Sequence, residues 1–114
     1  MSGNVNKVML LGRLTRNPDL KCPGDTALAT FGIAVNRKYK TKAGEQREDV
    51  TFIDCEAWGR TAEVIGQHLH KGSPIFVEGR LRFSQWDDHG TNRSKLTVTV
   101  EHFEFVGERE KAQA

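Results

Sequence analysis

The alternation of apolar and polar side chains along the chain predicts a protein built almost entirely of β-strands. In residues 5–16, and again in residues 26–36, one side chain in two is apolar, which is the period of a strand. Three further segments, residues 50–58, 73–84 and 95–106, show the same pattern. In residues 5–16 both faces carry apolar side chains, so we expect both to be partly buried.

Polar segments separate these strands and predict where the chain turns. Asn17-Pro18-Asp19 ends the first strand, because proline has no amide hydrogen to donate to a sheet. Residues 37–45 are too charged to bury and include Gly44, so they predict a long basic hairpin arm. Residues 86–92 predict a second, shorter polar hairpin. In the last strand the inward positions change parity after Val100, which predicts a β-bulge near Glu101.

One helix is predicted, over residues 61–71. Ala62, Ile65 and Leu69 fall on one helical face, and Gly72 is a typical residue to end a helix. Five strands with one helix between the third and the fourth form the element order of an OB-fold barrel. We therefore predict an all-β protein with this fold over residues 1–107, followed by a short charged tail at residues 108–114.

Length and composition limit the class of protein. A chain of 114 residues with 37% hydrophobic and 28% charged residues is typical of one globular domain. No apolar run approaches the ~20 residues of a membrane span. The first residues do not resemble a secretory signal, so we expect a cytoplasmic protein with no membrane partner. Cys22 and Cys55 are too few for a disulfide framework, and we expect two buried free thiols.

The charge of the chain is unevenly distributed. The net charge is only +2, but residues 1–42 contain eight Lys and Arg against two Asp, a difference of +6. The remaining 72 residues contain nine basic and thirteen acidic side chains, a difference of −4. This asymmetry favours a basic face that binds a polyanion.

Large aromatic side chains occur on the strand faces that charged residues mark as exposed. In residues 50–58 the strand face that contains Ile53 is apolar. Phe52 and Trp58 lie on the other face with two acids, Asp54 and Glu56. In the next strand Ile75, Val77, Leu81 and Phe83 have the inward parity. The outward parity there contains Phe76, Glu78, Arg80, Arg82 and Trp86.

Exposed aromatic residues among cations suggest a surface on which unpaired nucleic-acid bases stack. Tyr39 is a further example, because it lies between Lys38 and Lys40 on the predicted arm. Bases offer a flat π-face whatever their identity, and lysine or arginine nearby can hold the phosphates. The alternative is that these rings pack on the helix, the arm or a partner subunit, which is the simpler explanation for Phe76.

Several motifs make the chain similar to the bacterial single-stranded DNA-binding proteins (SSB). They span residues 4–106 in the family's order and include Val5-Asn6-Lys7-Val8, Leu11-Gly12-Arg13-Leu14, Asn17-Pro18-Asp19, Trp58-Gly59-Arg60, Leu69-His70-Lys71-Gly72-Ser73 and Val77-Glu78-Gly79-Arg80-Leu81. The resemblance implies an OB fold, a homotetramer and sequence-tolerant binding of single-stranded DNA in replication, recombination and repair. It also implies a cytoplasmic, nucleoid-associated protein.

The resemblance also assigns expected roles to individual residues. The family's base-stacking positions fall on Tyr39, Phe52, Trp58 and Trp86, and its backbone-contacting positions fall on Lys7, Lys21, Lys42, Arg60, Lys71 and Arg82. Charge and placement add Arg13, Arg37, Lys38 and Arg80. Many members carry tryptophan at the positions of Tyr39 and Phe52. Most also have a long linker and an acidic tip that recruits other enzymes; residues 108–114 contain neither, so this sequence does not support recruitment through a tail.

Two other classes of function remain to be distinguished. The same fold could serve as a primosome-like protein adaptor or as an RNA-binding protein with weaker DNA contact. Asp87-Asp88-His89 could belong to a metal-dependent nuclease, but beside Gly90 these residues are typical of a hairpin turn. His68 and His70 point to different sides of a helix, and the cysteines have no zinc-site spacing. We therefore expect no catalysis, no metal and no cofactor.

Overall fold

Five long strands close into a barrel, and one helix covers one of its ends. The computed structural model describes residues 3–107. Its elements are β1 (Val8–Leu14), β2 (Asp19–Lys21), a 3-10 turn (Pro23–Asp25), β3 (Leu28–Lys40), β4 (Gln46–Trp58), α1 (Gly59–His68), β5 (Pro74–Asp88) and β6 (Thr91–Phe105). The predicted tail at residues 108–114 lies outside the described residues.

The strand pairing is that of the predicted OB-fold barrel. β1 pairs with β5, β5 with β6, β6 with β4, β4 with β3, and β3 returns to β1. The β4–β6 pairing is parallel, at Cys55 opposite Val98, and the other pairings are antiparallel. The short β2 pairs with β3 outside this closed circuit, and the sequence pattern did not predict it.

The core lies inside the barrel, beneath α1. Phe31, Ile75 and Val98 are among its fully buried side chains, and Ile65 of α1 is buried against them. The predicted helical range of 61–71 is wrong at both ends, since α1 is Gly59–His68. Leu69 has left the helix with φ −117° and ψ 150°, yet it stays buried. An extended residue can fill the core as well as a helical one, so the apolar spacing could not locate the end.

The two cysteines occupy different environments. Cys55 is 1% exposed, and burial raises the pKa of its thiol to about 12. Cys22 is exposed, because it precedes the 3-10 turn at the surface, so the expectation of two buried thiols is wrong for Cys22. Both thiols are free.

The predicted bulge in the last strand is confirmed. Glu78 pairs with His102 whereas Gly79 pairs with Val100, which leaves Glu101 as the extra residue of β6. A side chain at Gly79 would collide with the carbonyl group of Thr99. The bulge therefore depends on a glycine directly opposite it on β5.

Both hairpins extend well beyond the barrel. The β3–β4 ladder continues to Lys40 opposite Gln46, so residues 37–40 of the predicted arm are paired strand and residues 41–45 form its turn. The β5–β6 ladder continues to Asp88 opposite Thr91, and only His89 and Gly90, both at positive φ, form the turn. The predicted hairpin loop of residues 86–92 is therefore too long. Since β4 and β6 run parallel, the two hairpins leave the same end of the barrel.

Leu81 and Phe83, which were predicted to point into the core, lie on the β5–β6 hairpin instead, together with Leu96 of β6. Leu81, Phe83 and Leu96 are 41%, 58% and 57% exposed. Their parity is that of the buried Val98 and Val77, but the strands have passed the end of the barrel at this point. The alternation of side chains in a sequence predicts which face of a strand a residue occupies. It does not predict how many residues of that face the core covers.

Candidate nucleic-acid interface

Three of the four predicted stacking residues are exposed on the outer face of the sheet. Phe52 and Trp58 on β4 are 72% and 44% exposed, and Trp86 on β5 is 47% exposed. Phe52 and Trp86 lie toward the hairpin end of the strands, whereas Trp58 is the last residue of β4 and adjoins α1. The surface positions of these three rings are therefore those predicted from their outward parity in the sequence.

Tyr39 is placed differently from the other aromatic residues. It pairs with Arg47, whereas Phe52 pairs with Ala34, five positions earlier on β3. An odd separation along one strand puts Tyr39 and Phe52 on opposite faces of the β3–β4 hairpin. The ring is half-buried, and the Arg37 guanidinium carbon lies 4.8 Å from its centroid in a cation–π contact.

Arg82 is held on the outer face by a carboxylate. Its Nε donates to Oε2 of Glu56 at 2.8 Å, and its Nη2 donates to Oε1 at 2.9 Å. The Thr99 hydroxyl donates to the same Oε2 at 2.9 Å. Hydrogen bonds from Arg82, then from Thr99, hold the pKa of Glu56 below its usual value against the opposing effect of burial. The structure thus joins β4, β6 and β5 through one polar cluster.

Glu56 corrects the sequence interpretation of this face. The acids of β4 were expected to mark an exposed surface, but Glu56 is only 7% exposed. Arg82 and Thr99 satisfy its oxygens, which allows a charged residue to be buried among strands. The partner Arg82 lies 26 residues away in the chain, so nothing local to β4 could reveal the pair.

Arg13 lies in the same row of the sheet as Phe52. It pairs with Ala34 on β3, and Ala34 pairs in turn with Phe52 on β4. Two strand spacings separate the backbones of Arg13 and Phe52, about 10 Å. Nη1 of Arg13 donates to the Gly72 carbonyl at 3.0 Å. One nitrogen of the guanidinium is therefore held by this hydrogen bond, while Arg13 remains exposed to solvent.

The remaining predicted cations are distributed around the barrel. Four have an acidic neighbour: Lys7 contacts Glu78, Arg80 contacts Glu101 at 2.8 Å, Arg60 contacts Glu63 at 3.5 Å and Lys21 contacts Asp19 at 3.7 Å. Arg37, Lys38 and Lys42 are exposed on the arm, and Lys71 is exposed in the turn after α1. The structure brings Arg13 and Arg82 to the face of the exposed rings, and it places Lys21, Arg60 and Lys71 near its helix end.

Sequence reasoning missed two cations on the outer face of β6. Lys95 lies opposite Ser84, and its Nζ is 3.3 Å from Asp54 of β4. Arg93 lies directly opposite Trp86. Arg93 was overlooked because the last strand was predicted to begin only at residue 95, whereas Lys95 lay within that predicted strand and its outward position was not used. Arg93, Lys95 and Thr97 are spaced two residues apart, and this strand period was the signal that could have revealed them.

The structure gives no support to the metal-site alternatives within residues 3–107. That part of the chain contains no group of three or more His, Cys, Asp or Glu side chains arranged to hold a metal ion. Asp88 contacts Arg93 at 3.4 Å, at the end of the β5–β6 hairpin. None of the helices in the described residues is long and apolar enough to cross a membrane.

Comparison with known proteins identifies the class to which this fold and surface belong. The profile of the Single-strand binding protein family matches residues 5–106. The chain therefore belongs to the Single-strand binding protein family, and the resemblance drawn from the sequence motifs is confirmed.

Individual relatives agree with this assignment. The chain is 47% identical to the single-stranded DNA-binding protein of Helicobacter hepaticus over 103 residues, which are 89% of this chain and 61% of the relative. It is 44% identical to that of Wolinella succinogenes over 110 residues, which are 95% of this chain and 68% of the relative. The chain thus spans about three fifths of the length of the Helicobacter hepaticus relative.

Solved structures confirm the fold. A deletion mutant of the single-stranded DNA binding protein from Thermus aquaticus superposes with a TM-score of 0.81 at 35% identity, covering 92% of this chain and 52% of that one. A Plasmodium falciparum SSB in complex with single-stranded DNA gives a TM-score of 0.86 at 22% identity, covering 94% and 99%. The second similarity concerns the fold alone.

Proposed function

We propose that this protein binds single-stranded DNA with little sequence preference and without catalysis, in replication, recombination and repair in the bacterial cytoplasm. The observation that carries the proposal is the exposure of Phe52, Trp58 and Trp86 on one outer sheet face. Leaving such rings in water forgoes burial, and a stacked base restores it, contributing about 1–3 kcal/mol per base. Membership of the family and the names of its relatives support the same function.

In this proposal the bases stack on the rings and the cations neutralise the phosphates. Arg13 and Arg82 flank the exposed rings, Lys38 continues this face along the arm, and Tyr39 and Arg37 offer a contact on the opposite face of the arm. The further phosphate contacts are Lys7, Lys21, Lys42, Arg60, Lys71 and Arg80. Neither stacking nor phosphate contact depends on base identity, which accounts for binding without sequence preference.

Removing the two indole rings tests the stacking role. We expect the Trp58→Ala/Trp86→Ala double variant to bind oligo(dT) at least about 30-fold more weakly, because two stacking contacts of about 1–3 kcal/mol each are lost. Fluorescence anisotropy of a labelled oligonucleotide measures the affinity. The matched control is Trp58→Phe/Trp86→Phe, which keeps flat rings and should retain most of the binding. An unchanged affinity in the double alanine variant would show that the strand does not use these rings.

We further propose that the protein assembles as a homotetramer. Met9 and Leu11 point outward from β1 and are 62% and 57% exposed. Within the described residues β3 pairs with β1 only at Arg13 and Leu14, so residues 8–12 of β1 keep one free backbone edge. An apolar strand with a free edge is well suited to pairing with another copy of the chain.

A charged residue in the centre of this strand should dissociate the assembly. We expect Leu11→Glu to give the mass of a smaller species in light scattering at micromolar concentration, because it would bury an unpaired carboxylate between copies. The control is Val50→Glu, which places the same charge at an exposed apolar residue on β4. A wild-type protein that scatters as a monomer at the same concentration would refute the tetramer.

A further inference from the structure

We propose that Glu56 is a charge-compensating residue within the interface, which cancels the charge of Arg82 and thereby limits both the affinity for single-stranded DNA and its salt dependence. The inference rests on the proposed function of this face. It follows from the position of a buried carboxylate beside a stacking residue, since an anion there opposes the phosphates that the neighbouring cations attract.

The geometry fixes the carboxylate in this position. Both of its oxygens are engaged by Arg82, and the Thr99 hydroxyl holds Oε2 from the adjacent strand. The side chain of Glu56 is 9% exposed, whereas that of Arg82 is 47% exposed. The guanidinium therefore covers the carboxylate and presents its remaining N–H groups to solvent. Glu56 cannot rotate away when a phosphate approaches.

The location of the pair makes it relevant to binding. Glu56 precedes Trp58 by two residues on the same outer face of β4. Arg82 shares the outer face of β5 with Trp86. A DNA strand that stacks on both tryptophans passes a guanidinium whose charge Glu56 has already compensated. That guanidinium can orient a phosphate through hydrogen bonds, but it displaces few counterions.

Two substitutions should have opposite effects on DNA binding. Glu56→Gln keeps an oxygen that can accept from Arg82 or Thr99 and removes the negative charge, so Arg82 gains a full uncompensated charge. Arg82→Gln removes the cation and leaves the carboxylate facing the phosphates. The double variant removes both charges. It should therefore bind more tightly than Arg82→Gln alone, which a simple phosphate contact by Arg82 does not predict.

Titration of these variants with oligo(dT) at several salt concentrations tests the inference. For Glu56→Gln we expect the plot of log affinity against log salt to steepen by about 0.7, the value for one more neutralised phosphate on a single strand. Between 1 M and 0.1 M salt this change amounts to about a fivefold gain in affinity over the wild type. Asp25→Asn is the control, because it removes an exposed carboxylate from the 3-10 turn, away from the β4–β6–β5 face.

The outcomes separate this inference from the function on which it rests. An unchanged or flatter slope in Glu56→Gln, or a double variant no better than Arg82→Gln, would overturn the role of Glu56. A wild-type protein that fails to bind oligo(dT) would instead overturn the proposed function. Circular dichroism shows whether each variant is folded. If the amide disturbs folding, Glu56→Leu has a similar volume without charge and carries the same expectation.

Discussion

At the scale of single residues, the cluster of Glu56, Arg82 and Thr99 links the stability of the barrel to the candidate interface. The carboxylate is buried between strands and receives hydrogen bonds from both partners. Its pKa in the folded protein is below the usual value of 4.5, because these hydrogen bonds favour the ionised form. Folding therefore favours the charged state of Glu56, which makes stability depend on pH.

The sign of this dependence follows from linkage between proton binding and folding. A carboxyl group with a lowered folded pKa stabilises the protein above its unfolded pKa, and the contribution is lost as the pH falls through the folded value. We expect the advantage of the wild type over Glu56→Gln, in free energy of unfolding, to be full at pH 7 and to shrink below about pH 4.5. Urea unfolding at several pH values measures it. A difference that stays constant from pH 7 to pH 3 would contradict the lowered pKa.

Single-residue predictions from the sequence succeeded where a strand pattern alone was sufficient. The outward parity of Phe52, Trp58 and Trp86 was enough to predict their exposure. Glu56 could not be predicted in the same way, because its burial depends on a partner from another strand. Parity predicts the face of the strand on which a residue lies. The residues on neighbouring strands determine whether that face is exposed to solvent.

At the scale of elements, the β3–β4 and β5–β6 hairpins extend the candidate interface beyond the barrel. Lys38 and Lys40 have the parity of Ala34, which pairs with Phe52, so they share the face of that ring. Arg37 and Tyr39 point to the other side of the arm. The two faces of the arm should therefore contribute differently to DNA binding.

Neutralising the lysines that share a face with Phe52 tests the arm. We expect Lys38→Gln/Lys40→Gln to flatten the salt dependence of oligo(dT) binding by up to about 1.4, because each neutralised phosphate contributes about 0.7. The control is Lys38→Arg/Lys40→Arg, which keeps both charges and should keep the slope. If the glutamine variant retains the wild-type slope, the arm does not contact the phosphates.

The sequence also predicted the elements themselves, within limits that have a physical origin. The five long strands, the helix after β4 and the bulge at Glu101 followed from apolar periodicity, because each element has a buried face. The lengths of the hairpins did not, since charged strands beyond the core have no apolar face to reveal them. The short β2 was missed for the same reason, because all three of its residues are exposed.

At the scale of the whole molecule, the barrel collects features that are distant in the sequence. The part of the chain with the excess of positive charge, residues 1–42, contains β1, β2 and β3, and both β1 and β2 pair with β3 in the sheet. β3 adjoins β4, which carries Phe52 and Trp58. Both hairpins leave the barrel at the end nearest Phe52, so Lys38, Lys40 and Trp86 lie on the hairpins at that end. We therefore propose that single-stranded DNA passes over the exposed rings and the hairpins at this end of the barrel.

The most direct test is a titration of the intrinsic tryptophan fluorescence with oligo(dT), repeated at several salt concentrations and with a ribo-oligonucleotide for comparison. We predict strong quenching, because Trp58 and Trp86 stack against bases, and a fall in log affinity of about 0.7 per neutralised phosphate as log salt rises. Equal or tighter binding of the ribo-oligonucleotide would favour an RNA-binding protein. Tight binding without quenching, or no binding at all, would contradict the claim that the strand runs over these rings.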